Sequence, residues 1–251
     1  MKRNKIKKFD LIVIGGGSGG VRAARIASLH GAKVAICEKD KMGGTCVIRG
    51  CIPKKLLFYS SQFQNIFSYS DSYGWSTREI KYDFLKMIKN KNKEISRLEK
   101  IYEKNIIASG ATIYKGEASF INQNKIKINN DIISGDKIII ASGGTPISLK
   151  VLGSHFADDS DTIMQLSKLP KTLTIVGAGY IAIEFAFIFA NLGSEVSLIV
   201  RKNILRGFDH NLVEEIKKNL IRKKVKIYFN NEVKEIKKYK NKFDVYLKNR
   251  T

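Results

Sequence analysis

A strand, a glycine-rich turn and a helix follow one another twice in this chain, and this repeat constrains the fold more than any other feature. The first copy is the apolar run Phe9–Ile14 with the turn at residues 15–20, and the second is Thr172–Val176 with the turn at residues 177–182. A second short strand follows each helix, which predicts two β-α-β units with parallel strands. The copies lie about 160 residues apart, too far for a short-period array. We therefore predict an α/β fold with two Rossmann-like dinucleotide-binding units.

The first glycine turn has the G-x-G-x-x-G pattern with Gly15, Gly17 and Gly20. The first glycine permits a tight turn, the second lets a pyrophosphate approach the backbone, and the third lets the helix pack closely on the sheet. Glu38 follows at the end of the next strand, where a carboxylate can accept hydrogen bonds from a ribose diol. This combination predicts a bound dinucleotide, and a purely structural glycine turn is the alternative.

The second turn replaces the last glycine of the pattern by Ala182, and Val200 stands at the position that corresponds to Glu38. Three basic residues follow Val200: Arg201, Lys202 and Arg206. A carboxylate at this strand end would repel a 2′-phosphate, whereas guanidinium groups bind phosphate in a bidentate manner. The second unit is therefore predicted to prefer NADP over NAD. Surface arginines in an already basic chain are the alternative.

Two cysteines, Cys46 and Cys51, lie in the string Gly-Gly-Thr-Cys-x4-Cys-Ile-Pro-Lys-Lys at residues 43–55. Their spacing differs from thioredoxin-like centres and zinc knuckles, and no histidine lies close in sequence to complete a metal site. On a helical segment they would lie just over one turn apart. Two reduced structural cysteines are the alternative to a redox pair. The third cysteine, Cys37, is predicted to be a buried structural thiol.

Composition limits the classes of partner. The chain has 251 residues and a formal net charge of +22, but its lysines are dispersed among Asn and Ile. A solvated basic surface is expected from this pattern, with nucleic-acid binding as a distant alternative. The basic start, residues 1–8, precedes an apolar run too short for a signal peptide or a membrane span. A cytoplasmic protein with no membrane partner is therefore expected.

The remaining elements divide the chain into two predicted domains. A long charged helix is predicted at Tyr82–Asn105, and a turn-rich passage at residues 142–153 predicts the junction. The predicted domains are residues 1–150 and residues 151–251. Short strands are expected at residues 111–114, 118–121, 125–128, 136–141 and 225–229, a helix from Asp209 to about Lys223, and two strand-like runs at the end. The second sheet is expected to be incomplete.

The cysteine string, placed between two nucleotide-binding units, resembles the class I pyridine nucleotide-disulfide oxidoreductases, most closely their glutathione reductase branch. The resemblance implies FAD on the first unit and NADPH on the second. It also implies hydride transfer from NADPH to FAD, reduction of a Cys46–Cys51 disulfide, and then reduction of glutathione disulfide. Cys51 would lie against the flavin and Cys46 would attack the substrate. Lys54 disfavours the lipoamide dehydrogenase branch, as does the absence of an acidic residue at Val200.

Residue roles follow from the same resemblance. Contacts with FAD are implied for Gly15, Gly17, Ser18, Gly19, Gly20, Glu38, Thr45, Cys46, Lys54, Ala118, Ser142 and Gly143. Contacts with NADPH are implied for Ala178, Tyr180, Ile181, Glu184, Arg201, Lys202 and Arg206. Lys54 would reach the flavin and pair with Glu184, and these two residues complete the catalytic set with Cys46 and Cys51. Tyr180 would cover the nicotinamide pocket.

Substrate contacts are implied for Ser18, Arg25 and Tyr102. Arg25 would bind a glycine carboxylate of glutathione disulfide, and Tyr102 would lie between the two halves of that substrate. A helix-surface arginine and a core aromatic residue are the respective alternatives.

Two departures from the family pattern qualify these implications. Only four residues separate Arg201 from Arg206, where the family usually has five, so the loop must be tighter and Lys202 is expected to share the work. The family's C-terminal interface domain, with its catalytic histidine and dimerisation surface, has no counterpart in the sequence. We therefore expect a truncated member, with a catalytically incomplete flavin-binding fragment, or a trypanothione- or thioredoxin-type reductase, as alternatives.

Overall fold

The structure is a computed structural model, and it describes residues 6–76, 79–240 and 242–249. The first five residues of the basic start, and the last two residues of the chain, lie outside the described residues. None of the helices in the described part is long and apolar enough to cross a membrane.

The chain divides into two compact units. The first comprises Met1–Lys54 and Asn90–Thr145, and the second comprises Lys55–Lys89 and Pro146–Thr251. Each unit contains one of the two glycine turns.

The first unit is built on a mixed sheet whose centre is parallel. The elements up to residue 140 are β1 (Lys7–Ile14), α1 (Ser18–Leu29), β2 (Val34–Glu38), α2 (Gly44–Ile48), α3 (Cys51–Tyr69), α4 (Phe84–Ala108), β3 (Thr112–Lys115), β4 (Ala118–Asn122), β5 (Lys125–Ile128) and β6 (Asp131–Ile140). Six described strands form the sheet in the order β3-β2-β1-β6-β5-β4. Strand β1 lies between β2 and β6 and runs parallel to both.

Strand β1 has a continuous apolar sequence because both of its faces are covered. Ile12 and Val13 are fully buried and point to opposite faces of the sheet. Val13 packs with Val21 of α1 and Ile106 of α4, whereas Ile12 packs with Ile133 on the other face. The continuous apolar run at residues 9–14 is therefore explained by burial on two sides.

The second unit has a smaller parallel sheet. Its later elements are β7 (Thr172–Val176), α5 (Tyr180–Asn191), β8 (Glu195–Val200), α6 (His210–Arg222), β9 (Lys226–Phe229), β10 (Val233–Tyr239) and β11 (Lys242–Leu247). The described strands form a three-stranded sheet, β7-β8-β9, and a separate antiparallel hairpin, β10-β11. Helix α5 is apolar on most sides because Phe185, Ile188 and Phe189 are all buried in one cluster.

The starts of two helices, and the presence of a third helix, differ from the sequence predictions. Helices α1 and α5 begin at Ser18 and Tyr180, two and four residues before the starts that the sequence predicts at Gly20 and Glu184, because each first turn starts inside its glycine motif. Helix α3 was not predicted at all. Cys46 and Cys51 do not share one helix, because α2 ends at Ile48 and α3 begins at Cys51, so the spacing considered for a single helical segment does not apply.

Candidate functional site

The first glycine turn follows β1 and requires glycine at two positions for different reasons. Gly15 has a φ of +110°, and a Cβ there would lie 2.2 Å from the carbonyl oxygen of Ala141. A Cβ on Gly20 would lie 1.8 Å from the carbonyl oxygen of Gly15. The turn therefore allows β6 and α1 to approach the end of β1 more closely than any side chain would permit.

The N-terminus of α1 is open at this turn. Gly17 is the N-cap residue, and no side chain in the described part of the chain caps the helix. A Cβ built on Gly19 would meet no described atom within 4 Å. Uncapped amides at a helix N-terminus bind anions, so the turn fits a pyrophosphate group.

Glu38 connects the end of β2 to the same turn. Its Oε2 accepts a hydrogen bond from the backbone N–H of Gly16 at 2.6 Å, and its Oε1 accepts one from the N–H of Asp40 at 2.7 Å. These bonds fix the carboxylate beside the glycine turn. Each carboxylate oxygen has a second lone pair, so the group can still accept a ribose hydroxyl.

The two cysteines lie on two consecutive helices. Cys46 is half-buried in α2 and Cys51 is the exposed first residue of α3, and both are free thiols. Their side chains are in hydrogen-bond contact, and the Cys46 thiol also contacts the Ser18 hydroxyl. Gly50 makes the sharp connection possible, because a Cβ there would lie 2.7 Å from the Thr45 carbonyl oxygen. The structure thus brings the cysteine pair to the glycine turn.

Opposing effects set the acidity of the Cys46 thiol. Burial raises its pKa above the ordinary value, and the neighbouring Cys51 thiol raises it further. Hydrogen bonds from the Cys51 backbone N–H and from the Ser18 hydroxyl act in the opposite direction. Cys37 lies apart from this chemistry: burial on β2 raises the pKa of its thiol to about 12, which confirms the prediction of a buried thiol.

The residues assigned to the disulfide substrate share the first unit with the cysteines. Ser18 and Arg25 are seven residues apart on α1, so they lie on the same face of the helix, two turns apart, and both are exposed. Tyr102 on α4 is half-buried and packs against the cluster that contains Val13 and Val21. Tyr102 thus contributes to the core. The substrate roles of all three residues stay predictions.

The remaining residues predicted to contact FAD lie in different parts of the first unit. Thr45 lies in α2 with Cys46, and Ala118 begins β4, where it pairs with Ile128. Ser142 and Gly143 follow β6 and are exposed. Their roles, like the pairing of Lys54 in the first unit with Glu184 in the second, stay predictions.

The second glycine turn borders a cavity of about 820 Å³ within the second unit. Its lining includes the turn at residues 177–180 and the three predicted basic residues, Arg201, Lys202 and Arg206. Tyr180 also lines the cavity and is exposed, whereas Ile181 lies one position further along α5. The structure therefore gathers most of the residues that were assigned to NADPH around one opening.

The tightened loop after β8 is held by a backbone contact. Leu205 has a left-handed backbone with a φ of +49°, which is uncommon for a residue with a branched side chain. Its N–H donates to the carbonyl oxygen of Ala178 at 2.8 Å, and its side chain is buried. This contact folds the loop back onto the glycine turn, so Arg206 reaches the cavity although one residue is missing.

Besides Lys150, two charged residues that flank the β10-β11 hairpin line this cavity and were not predicted from the sequence. Glu232 precedes β10 and Lys248 follows β11, and both line the cavity. No linear motif marks them, because only the packing of the hairpin brings them to the end of β8.

Comparison with known proteins gives this geometry a context. The family model for pyridine nucleotide-disulphide oxidoreductases matches residues 9–251. The chain belongs to this family. It is 44% identical over 209 residues to a glutathione reductase from Burkholderia cepacia, with 83% of this chain and 46% of the relative covered. The chloroplastic/mitochondrial glutathione reductase of Pisum sativum is 42% identical over 213 residues, with coverages of 80% and 39%.

A solved structure shows the same architecture within this family. The Cu(II) complex of RclA, an HOCl-induced flavoprotein disulfide reductase from Escherichia coli, matches with a TM-score of 0.85 and 28% identity. The match covers 96% of this chain and 53% of that chain. The chain thus spans about half the length of these relatives or less.

Proposed function

We propose that this chain carries the FAD-binding and NADPH-binding portions of a glutathione-reductase-like enzyme, in which NADPH reduces glutathione disulfide through the Cys46–Cys51 pair. The contact between the two thiols, beside Ser18 at the first glycine turn, is the observation that supports this proposal most. The identity to glutathione reductases, 44% and 42% for two of them, favours glutathione disulfide over other disulfide substrates.

The cofactor assignments agree with the two glycine turns. The first turn offers uncapped amides of α1 and the fixed carboxylate of Glu38, which fit the pyrophosphate and ribose of FAD. The second offers a basic cavity that fits NADPH. When bound, FAD supplies the hydride acceptance and electron transfer that amino-acid side chains cannot provide.

The thiol step uses residues of the first unit. Cys46, as thiolate, attacks one sulfur of the substrate disulfide, which forms a mixed disulfide and releases the first glutathione thiolate. Cys51 then attacks Cys46, which releases the second glutathione and leaves a Cys46–Cys51 disulfide. The two protons of the cysteine thiols pass to the two glutathione thiolates. The contact between the cysteine side chains places the second sulfur within reach of the first.

The raised pKa of Cys46 sets the pH dependence of this step. Because the thiolate is the nucleophile, a raised pKa lowers its population at neutral pH, and the attack becomes faster as the pH rises towards that pKa. The Ser18 hydroxyl partly offsets this effect, since it donates a hydrogen bond that favours the thiolate.

Trapping of the mixed disulfide tests the proposal. In a Cys51→Ser chain the resolving thiol is absent, so glutathione disulfide should leave one glutathione attached to Cys46, detectable by mass spectrometry. A Cys46→Ser chain is the matched variant, and it should react at least about tenfold more slowly. A Cys37→Ser change, added to each of these two variants, serves as the control and should leave the rate of glutathione attachment unchanged in both. Equal reaction at Cys46 and Cys51 would contradict the assigned roles.

Flavin binding without turnover is the second candidate, because the uncapped amides of α1 and the fixed carboxylate of Glu38 can bind a dinucleotide without any thiol step. Bound FAD with no NADPH-dependent loss of glutathione disulfide, even after a C-terminal half is added, would support this candidate over a working reductase.

A further inference from the structure

The cavity of the second unit contains one carboxylate among cations. Its described lining has a single acidic residue, Glu232, together with five basic ones. The basic residues are Lys150, Arg201, Lys202, Arg206 and Lys248. A carboxylate is unexpected there, because positive charge strengthens the binding of a 2′-phosphate and negative charge weakens it.

Glu232 interacts with two of these cations. Its Oε2 accepts a hydrogen bond from Nζ of Lys248 at 2.6 Å, and its Oε1 lies 3.9 Å from Nη1 of Arg201. The bond from Lys248, with the nearby charge of Arg201, holds the pKa of the Glu232 carboxyl below its ordinary value. The group is therefore ionised at neutral pH and partly neutralises the cations that it contacts.

The backbone around Glu232 is fixed at the end of β8. Asn231 donates from its backbone N–H to the carbonyl oxygen of Val200 at 3.2 Å, and its Oδ1 accepts a hydrogen bond from the N–H of Asn249 at 3.2 Å. Lys248 donates from its backbone N–H to the carbonyl oxygen of Glu232 at 2.9 Å. Glu232 and Lys248 are thus held together by their main chains as well as by their side chains.

The carboxylate of Glu232 lies beside the end of β8, where the sequence has no acidic residue at the position that corresponds to Glu38. Val200 corresponds in position to Glu38 of the first unit, and it is fully buried. The backbone of Asn231 is hydrogen-bonded to Val200, and Glu232 is the residue that follows Asn231. Glu232 therefore lies at the same strand end, although it comes from a different segment of the chain.

We propose that Glu232 is an internal counter-ion that a 2′-phosphate must displace from Lys248 and Arg201, so that Glu232 limits the affinity for NADP-type nucleotides while Lys248 serves as a further phosphate-binding cation. The inference rests on the proposed NADPH assignment. A 2′-phosphate carries between one and two negative charges at neutral pH, so it and the carboxylate repel each other and compete for the same donors.

Binding of two simple nucleotides tests this inference without flavin or turnover. Adenosine 2′,5′-bisphosphate carries the 2′-phosphate and adenosine 5′-monophosphate lacks it, and calorimetry on the full chain measures both dissociation constants. Glu232→Gln should lower the constant for the bisphosphate by roughly fivefold to tenfold and change that for the monophosphate by less than about twofold. Lys248→Gln should raise the bisphosphate constant by a similar factor.

Glu235→Gln is the matched control. Glu235 lies three residues further along, on β10, and pairs with Lys237 at 3.3 Å without lining the cavity. The same chemical change there should leave both dissociation constants unaltered.

The outcomes separate the inference from the function on which it rests. A wild-type chain that prefers the bisphosphate but is insensitive to Glu232→Gln contradicts the inference alone. Weaker binding of both nucleotides to Glu232→Gln also overturns it, because the carboxylate would then hold a ribose hydroxyl. A wild-type chain that binds both nucleotides equally contradicts the NADPH assignment, and the inference fails with it.

Discussion

The two β-α-β units share a local pattern but place it in different surroundings. In the first unit β1 lies between β2 and β6, and Ile12 and Val13 are fully buried. In the second unit β7 pairs with β8 only, as far as the described residues show, and Thr174 and Val176 are exposed. The same kind of strand is therefore central in one sheet and at the edge of the other.

The first glycine of each turn shows which constraints are local. Gly15 and Gly177 have φ values of +110° and +119°, so both turns require glycine for the same backbone reason. A Cβ on Gly15 would collide with Ala141, whereas one on Gly177 would meet no described atom within 4 Å. Backbone conformation follows from the motif, but close approach depends on a strand that is distant in sequence.

The largest expected difference comes from proline in the two strands. The N–H of Ile12 points towards β6, as the strand register and the hydrogen bond from the Ala141 N–H to the Ile14 carbonyl show. In β7 the N–H of Gly177 donates to Ile199 of β8, so the N–H of Thr174, three residues earlier, points to the opposite, open edge. Ile12→Pro should lower the free energy of unfolding by more than about 4 kcal/mol, since a ladder bond and a buried side chain are both lost. Thr174→Pro should lower it by about 1 kcal/mol or less.

Urea unfolding followed by circular dichroism measures both changes. Thr174→Val is the control for loss of the threonine side chain and should be nearly neutral. Equal destabilisation by the two prolines would show that the outer edge of β7 is not open.

The third position of each glycine motif gives the next largest difference. Gly20→Ala should destabilise the first unit by about 2–3 kcal/mol, because its Cβ would lie 1.8 Å from the Gly15 carbonyl oxygen and α1 must move. The reciprocal change, Ala182→Gly, should reduce stability by about 1 kcal/mol or less through helix propensity alone. Thermal unfolding of both variants measures the difference, and equal shifts would contradict the close packing at Gly20.

The strand-end residues should separate the ligands of the two units. Glu38→Gln should weaken FAD retention by roughly tenfold, because the negative charge that strengthens the hydrogen bond from Gly16 is lost, and should leave nucleotide binding by the second unit unchanged. Arg201→Gln should weaken nucleotide binding by the second unit and leave FAD retention unchanged. Equilibrium dialysis with FAD and with adenosine 2′,5′-bisphosphate measures both, and Glu117→Gln, on the exposed pair with Lys39, is the control. Loss of both ligands in either variant would contradict the division of labour.

The smallest expected effect concerns thiol reactivity, which belongs to the first unit because all three cysteines precede Lys54. Ser18→Ala removes one of the two hydrogen bonds that lower the pKa of Cys46, the other being from the Cys51 backbone, so alkylation of Cys46 should shift to higher pH and slow at neutral pH. The pH profile of iodoacetamide labelling, resolved by mass spectrometry, measures this shift. Buried Cys37 is the internal control and should react only on unfolding. An unchanged Cys46 profile would contradict the role of Ser18.

Features that depend on local constraints could be predicted from the sequence. The apolar run before Gly15 predicted a buried strand, and the confirmed family membership followed from the cysteine string between two glycine turns. Helix α3 was not predicted; Pro53 is its third residue, a position in the first turn where proline is tolerated. Glu232 and Lys248 were missed because they meet only after the hairpin folds onto the end of β8.

The most direct test of the two-unit assignment follows electrons from the nucleotide to the cysteines. The chain is loaded with FAD, its Cys46–Cys51 pair is oxidised, and NADPH is added without oxygen before alkylation and mass spectrometry. One NADPH carries two electrons, so Cys46 and Cys51 should become labelled together, in proportion to the NADPH consumed and more readily than with NADH. NADPH consumption without new label on either cysteine, or equal labelling with NADH, would contradict the account.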